Sequence, residues 1–382
     1  MIIKGMDSEQ LKAAAELSDR TFRDKDQSSM ADAFPSIFSG AFGCSLGCYE
    51  ENELISFMGL VPQYIAIGPA KLPLMSLGSV CTAEEHRGKG TASLLLQEAF
   101  RHMDEAGVSL LYVSGDRQLY MRNGCRYFGD VSTYTLQPDD AKSQPGETPP
   151  YRIREASAAD LLAVQSIHEA GVVRYSRSIY ETGMLLKAQA LATIYKLRQS
   201  LVVAELDGEV AAYGVLALPG TQVSSHKPFV VEYGGDAAAI FALLKESLDQ
   251  ASLESLSIAV PWQDAELHGI LTGIKREDGK NEGTVRIRNP RQLWMQLAPY
   301  LLERDEEAFS GMLLENAPSE DDQAWAATLH IRGEAVRLSR DELTALLFDP
   351  EPHVPSMSEE QLVWAGRLLP APLPYSATLN YV

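Results

Sequence analysis

The sequence predicts an α+β protein built from two tandem mixed-sheet units followed by a smaller α/β unit. Three observations carry that expectation. A polar, proline-rich stretch, QPDDAKSQPGETPP, interrupts the chain at 137–150. The order of strand and helix signals that precedes it starts again after it, and from about Thr284 the texture changes once more. At 382 residues the chain also exceeds one ordinary domain of about 150 residues. The units are placed at 1–137, 151–288 and 289–382, with 138–150 as a linker too poor in apolar surface to fold.

In the first unit, residues 1–5 read as a short strand. Asp7 or Ser8 then caps a helix with Leu11, Ala14, Ala15, Leu17 and Phe22 at helical spacing. A second helix is expected over 30–38. Strands at 45–49 and 54–67 meet across Glu50-Glu51-Asn52-Glu53, and 71–82 is the next strand. A helix over 91–106 carries apolar Leu94, Leu95, Ala99 and Met103 and is closed by Gly107. A buried strand at 108–114, a helical turn and a strand at 127–136 complete the unit.

After the linker, 151–153 is a strand, and Ser157 and Asp160 have the spacing of a capping box. Strands 201–206 and 209–218 form a hairpin across Asp207-Gly208. A strand at 229–232, a helix at 236–250 and a strand at 256–260 repeat the first unit in degenerate form. The third unit offers a helix at 292–302 and a hairpin of 325–331 with 335–338 around Arg332-Gly333. Ser339 and Asp341 then open a helix that ends at Leu347. The tail RLLPAPLPYSATLNYV is uncharged after Arg367. A free tail is more often polar, so this one is expected to pack on the body.

Net charge is −19, which disfavours nucleic acid and anionic membrane surfaces as partners. Residues 1–136 hold 17 acidic and 12 basic side chains, and the other 35 acidic and 21 basic ones lie beyond. Most of the acidity therefore sits outside the first unit and does not identify a substrate. Four cysteines do not make a disulfide framework, and Cys44 and Cys48 have no second Cys/His pair to complete a zinc site, so no metal is expected. No stretch reads as a signal peptide or a bilayer span, and a cytoplasmic protein is expected. A homo-oligomer is compatible with the sequence and is not fixed by it.

The sharpest local signal runs from Ser79 to Ala92. An apolar strand enters Arg87-Gly88-Lys89-Gly90, and a helix begins at Thr91. Glycines let successive backbone N–H groups turn toward one point, and the helix N-terminus adds partial positive charge, a geometry that holds a pyrophosphate. It is neither a Walker A loop nor a Rossmann fingerprint, whose glycine spacings are absent. His86 reads as a surface or positioning residue, Glu84-Glu85 as a solvated turn, and Cys81, Met121 and Cys125 as packing residues.

The pattern R-x-x-G-x-A, here Arg87, Gly90 and Ala92, resembles the GNAT N-acetyltransferases. The resemblance implies that Arg87, Gly88, Lys89, Gly90, Thr91, Ala92 and Ser93 hold the pyrophosphate of acetyl-CoA. It implies that Val80, Cys81 and Thr82 bond the acetyl carbonyl and the pantetheine. The segment from Leu119 to Tyr127 resembles the family's Y-x-x-x-G-[FY] motif, with Tyr120 as the general acid on the departing thiolate and Cys125 where an aromatic is usual. A phenol with a pKa near 10 suits that role.

The three-unit order resembles the Eis-type (enhanced intracellular survival) acetyltransferases: a GNAT domain, a degenerate GNAT-like domain and a sterol-carrier-like domain. That resemblance implies that the C-terminal carboxylate, here of Val382, takes the amine proton, since strand 71–82 carries no Asp or Glu. A water chain ending at Asp24, Asp26 or a backbone carbonyl is the alternative. In the second unit Glu232 and Asp236 would repel a pyrophosphate, and Asp236 reads as a helix cap, so no second acetyl-CoA site is expected. The expected reaction is transfer of acetyl from acetyl-CoA, as co-substrate, to a primary amine: a small molecule such as an aminoglycoside or polyamine, or a lysine-like peptide. Phe22, Phe38, Phe57 and Tyr64 are candidate walls of the amine pocket. A non-catalytic CoA-binding sensor on the same fold is the alternative.

Overall fold

The computed structural model describes residues 1–140, 150–317 and 326–382, so most of the linker and Trp325 lie outside the described residues. The first unit runs β1 (Ile2–Gly5), α1 (Ser8–Phe22), α2 (Met30–Ala33), β2 (Leu46–Glu50), β3 (Glu53–Ile67) and β4 (Ala70–Thr82). It continues with α3 (Thr91–Ala106), β5 (Leu110–Val113), α4 (Gln118–Arg122) and β6 (Asp130–Leu136). The second comprises β7 (Arg152–Glu155), α5 (Leu161–Ala170), β8 (Val173–Ser176), α6 (Ile179–Ala188), α7 (Ala190–Ile194), β9 (Arg198–Leu206) and β10 (Glu209–Leu218). Then come β11 (Phe229–Gly235), α8 (Ala237–Gln250), β12 (Leu256–Pro261), α9 (Ala265–Ile270), β13 (Lys275–Lys280) and β14 (Thr284–Ile287). The third holds α10 (Pro290–Arg304), α11 (Glu306–Ser310), β15 (Met312–Asn316), β16 (Ala327–Ile331), β17 (Glu334–Leu338), α12 (Arg340–Phe348) and α13 (Glu359–Ala365).

Local chemistry explains the helix ends. Asp7 caps α1 with a reciprocal bond from Gln10, and Ser157 with Asp160 does the same in front of α5. Gly107 closes α3 at φ 66°, a left-handed conformation that glycine adopts without strain. The helix expected over 30–38 stops at Ala33 instead. Phe34 precedes Pro35 and has left the helical region, at φ −125° and ψ 58°, as the proline ring demands.

The sheets do not follow the chain order. One has the order β1-β2-β3-β4-β5-β14, with β8 also on β3, and the other has β13-β6-β12-β11-β10-β9-β7. The last strand of the first unit, β6, thus lies between β12 and β13, while β14 returns to cover the edge of β5. Every residue of β5 is buried, so an uncovered edge there would leave buried main-chain N–H and C=O groups without partners. The exchange removes that cost and locks the two sheets together. A third sheet, β15-β16-β17, packs with α10 and α12 on the first: Trp294, Leu329 and Phe348 share one core with Leu72, Leu110 and Phe128.

The tail lies in this interlock. Asn281, in the turn between β13 and β14, donates Nδ2–H to Pro374 O (3.0 Å) and accepts from Ser376 N–H (3.0 Å) and Ser376 Oγ–H (2.7 Å) at Oδ1. Its own N–H reaches Phe128 O and Gly129 O, so one buried side chain ties both exchanged segments to the tail. Further on, Arg177 Nη1 donates to Asn380 Oδ1 (2.9 Å), and Val382 ends buried among Met6, Leu11, Phe34, Ile37 and Phe57. Asn281→Ala removes three tail bonds and leaves their partners unsatisfied. It should destabilise the chain by about 1–3 kcal/mol in urea unfolding. An unchanged midpoint would show that the tail is held elsewhere.

Candidate active site

β4 pairs with β5 only where Leu74–Leu77 face Leu110–Val113, and the strands then part. The last tie is a 3.4 Å bond from Ser114 N–H to Leu77 O. The cause lies on the other edge of β4. Its register with β3 shifts between Phe57 and Gly59, so Ser79 and Val80 form a bulge that bends the strand and leaves main-chain groups outside the ladder. Ser79 sits at φ 50°, a strained value for a side-chain-bearing residue that costs about 1–3 kcal/mol, and its buried hydroxyl has no partner. Beyond the bulge, Ala83 N–H bonds Ile55 O, so by strand alternation Thr82 turns its main chain away from β3 and Cys81 turns its own toward β3. The Thr82 carbonyl accepts from Arg87 Nε at 3.2 Å. Of the three expected strand residues, Thr82 therefore faces the opening, Val80 sits in the bulge, and Cys81 spends its amide on the ladder.

The loop follows a single 3-10 turn, Glu84–His86. Gly88 (φ 76°) and Gly90 (φ 81°) are left-handed, and a Cβ at either would meet nothing, so backbone conformation rather than space requires glycine. Gly90 is the N-cap of α3 and has no side chain to cap it. Ser93 and Leu94 bond back to Gly90 O, which leaves the amides of Thr91 and Ala92 facing outward at the positive end of a 16-residue helix. Arg87 and Lys89 stand exposed beside them. His86 Nδ1 lies 3.4 Å from Lys89 Nζ and 3.3 Å from a Glu50 carboxylate oxygen, a bridging position at the loop. The counterpart in the second unit differs: Asp236 Oδ1 caps α8 by accepting from Ala239 N–H at 2.8 Å. That carboxylate fills the place an anion would take.

The two remaining candidates lie on opposite faces of the end of β4. On one face, Tyr120 is 6% exposed in a cluster with Leu95, Leu96, Phe100 and Cys125, against which Val80 leans. Burial pushes the Tyr120 phenol up to about 12, although the Arg117 guanidinium pulls the other way. Burial also raises the Cys125 thiol to about 11, which suits a packing residue. Gly124 is needed behind Tyr120: a Cβ there would come 2.9 Å from Arg340 Cδ and closer to Arg286, which donates to Asn123 O. On the other face, Val382 shares a cluster with Cys81, Ile37 and Phe57. A Cβ on Gly78 would lie 2.7 Å from Val382 O and nearer still to its carbonyl carbon. Gln63 holds this arrangement, accepting from Ser76 Oγ (2.7 Å) and donating to Asn380 O (3.4 Å). The Tyr381 hydroxyl, pushed up to about 12 by burial, faces Ser114 at the end of β5.

Of the expected pocket walls, Phe38 stacks on Phe57 at 5.5 Å on the Val382 face. Phe22 is part-exposed at the end of α1, and Tyr64 lies far along β3 opposite Pro73, under Lys71. Asp24 pairs with Lys196 at 2.6 Å. One acidic pair gave no sequence signal. Glu282, in the crossing turn, is raised by burial and by Asp116, and burial, followed by the Glu282 carboxylate, raises Tyr195, Tyr375 and Tyr381. Only the strand exchange brings these residues together. Among the described residues no group of three or more His, Cys, Asp or Glu is placed to hold a metal, and no helix is long and apolar enough to cross a membrane.

Residues 3–128 match the family model of the acetyltransferase (GNAT) domain. These residues are a GNAT domain. The match runs from β1 through α4 and contains the loop, the bulged strand and Tyr120. A GNAT domain supports acyl-CoA-dependent N-acetyl transfer in general, a reaction whose acceptor is an amine. The fold is similar to that of an N-acetyltransferase from Anabaena variabilis (14% identity, TM-score 0.67, all of both chains covered). It is also similar to Eis1 from Mycobacterium abscessus (13% identity, TM-score 0.65, 99% of this chain and 100% of that one). An N-acetyltransferase from Kribbella flavida is similar as well (15%, TM-score 0.61, 100% and 98%). At these identities the likeness is one of fold, and it extends over all three units. No curated protein matches in sequence. Within the GNAT domain the contact of Val382 with Gly78 is directly testable. Gly78→Ala should expel the end of the tail and lower the thermal midpoint, at a cost of about 1–3 kcal/mol. A wild-type midpoint would mean that the tail does not seat there.

Proposed function

We propose that the chain transfers the acetyl group of acetyl-CoA directly to a primary amine, with Tyr120 as general acid and the carboxylate of Val382 as general base. One observation carries this reading: the bulged end of β4 lies between Tyr120 on one face and Val382 on the other, next to a helix start that no side chain caps. The amides of Gly88 to Ala92, with Arg87 and Lys89, fit a pyrophosphate, since both left-handed glycines leave the approach open, while the Ser93 amide is already bonded to Gly90 O. Main-chain N–H groups of Val80 and Thr82 stabilise the developing oxyanion. The amine nitrogen bonds the acetyl carbon, the carbon–sulfur bond breaks, the amine proton passes to Val382 and the Tyr120 proton to sulfur. Raised to about 12, the Tyr120 phenol stays neutral at ordinary pH and keeps that proton in place. The acceptor is a primary amine of the polyamine, aminoglycoside or lysine type.

Tyr120→Phe should lower kcat by about 10²- to 10⁴-fold while acetyl-CoA binding is kept. Because the shift is upward, the acid form persists through the alkaline range, and kcat should not fall between about pH 8 and 10. A decline centred near the ordinary phenol value would reject the assignment. Two residues appended after Val382, or deletion of Val382, should collapse kcat and spare acetyl-CoA affinity. Unchanged turnover would remove Val382 from the chemistry.

A further inference from the structure

The second unit carries its own strand opening. β11 and β12 pair only at Phe229 and Ser257, then part, and the gap is a cavity of about 760 Å³ walled by α5, β8, α9 and the tail. That volume is ordinary for a small-molecule site. It is not built for a nucleotide. Asp236 already caps α8, and Gly235 (φ 106°) packs so tightly on Ala211 O and Ala212 that no loop cradles an anion.

Acceptors stand on its buried wall. Glu232 is buried, and burial pushes its carboxyl up, but the paired Arg177 guanidinium brings it below the usual range. The Tyr213 hydroxyl oxygen lies 2.9 Å from a Glu232 oxygen and 3.4 Å from His168 Nδ1, and the shorter, charge-assisted bond takes its one proton. His168 Nε2–H donates to Tyr175 O at 2.8 Å, which makes Nδ1 an acceptor whose one neighbouring donor is the distant Tyr213 hydroxyl, on a side chain only 8% exposed. Burial, and then Arg177, lower the His168 pKa and keep the ring neutral. Asp264, which also accepts from the Tyr233 hydroxyl at 2.8 Å, and Glu266 add carboxylates to the lining, beside Arg174. The rest of the lining is apolar, with Val230, Ile240 and Tyr300 facing Pro372 and Tyr375 of the tail.

We propose that this cavity is a second ligand site, for an organic cation with an apolar body, and that its occupant steadies the tail. The ammonium head meets the carboxylates and His168, and the body fills the space between α8 and the tail. The wall formed by Pro372, Pro374, Tyr375 and Thr378 belongs to the segment that ends at Val382, so a ligand here also restrains the end of the chain at Gly78. The site does not rest on the roles of Tyr120 or Val382.

Benzyltrimethylammonium, which has no N–H to acetylate, is the probe. Calorimetry on the full chain should give one equivalent bound, and hydrogen exchange should slow over 372–378. Ala259→Phe, which fills the cavity from β12, should abolish that heat with acetyl-CoA binding unchanged. Glu266→Gln, at an exposed position with no part in the fold, should weaken binding by roughly threefold to tenfold. No heat at millimolar probe would overturn the proposal. So would undiminished binding in both variants, which would place the cation elsewhere, or binding of decanoate in preference to the cation.

Discussion

The parting of β4 from β5 after Leu77 is the constraint on which the rest of the molecule depends. A parallel pair that stays zipped spends all its amides on itself. Here the bulge at Ser79 and Val80 turns β4 aside, and main-chain groups that would otherwise be satisfied face a gap. Such groups are costly unless water or a ligand takes them. The surroundings then fit together: an uncapped helix start at Gly90, a phenol on one face and the tail on the other. The strained Ser79 persists because long ladders on both sides over-determine it.

Opening one edge of β5 would be unaffordable if the other were bare, and β14 covers it from beyond the second unit. The interlock therefore makes the site a product of the whole chain. Asn281 sits at the crossing and fixes the tail, and Arg177 fixes it again near its end. A buried ion pair such as Arg177 with Glu232 contributes little net stability, but it holds the geometry sharply, because removing either partner strands a charge. The two strand openings consequently share an architecture and differ in chemistry. Glycine stands at the helix start of one, and aspartate at that of the other.

Much of this was legible locally. The loop from Arg87 to Gly90, Tyr120 with Gly124, the caps at Asp7, Ser157 and Asp236, and the hairpin at Asp207-Gly208 each announce themselves by residue type and spacing, and each occupies the expected element. The apolar tail signalled that it would be buried. The exchange left no signal. β13, KREDGK, is exposed at every position and reads as loop, while β8 and β14 have four residues each and pair with strands far away in sequence. Glu282, Asp116 and Asn281 matter only because of that pairing. The bulge was equally hidden, since serine rarely adopts positive φ and nothing nearby in sequence marks Ser79.

The central claim is that a single unit, the first, holds the acyl donor. Calorimetric titration of the intact chain with acetyl-CoA tests it most directly. One equivalent per chain is expected, lost when Arg87 and Lys89 are both replaced by Glu. Two equivalents, or one that survives those replacements, would contradict it.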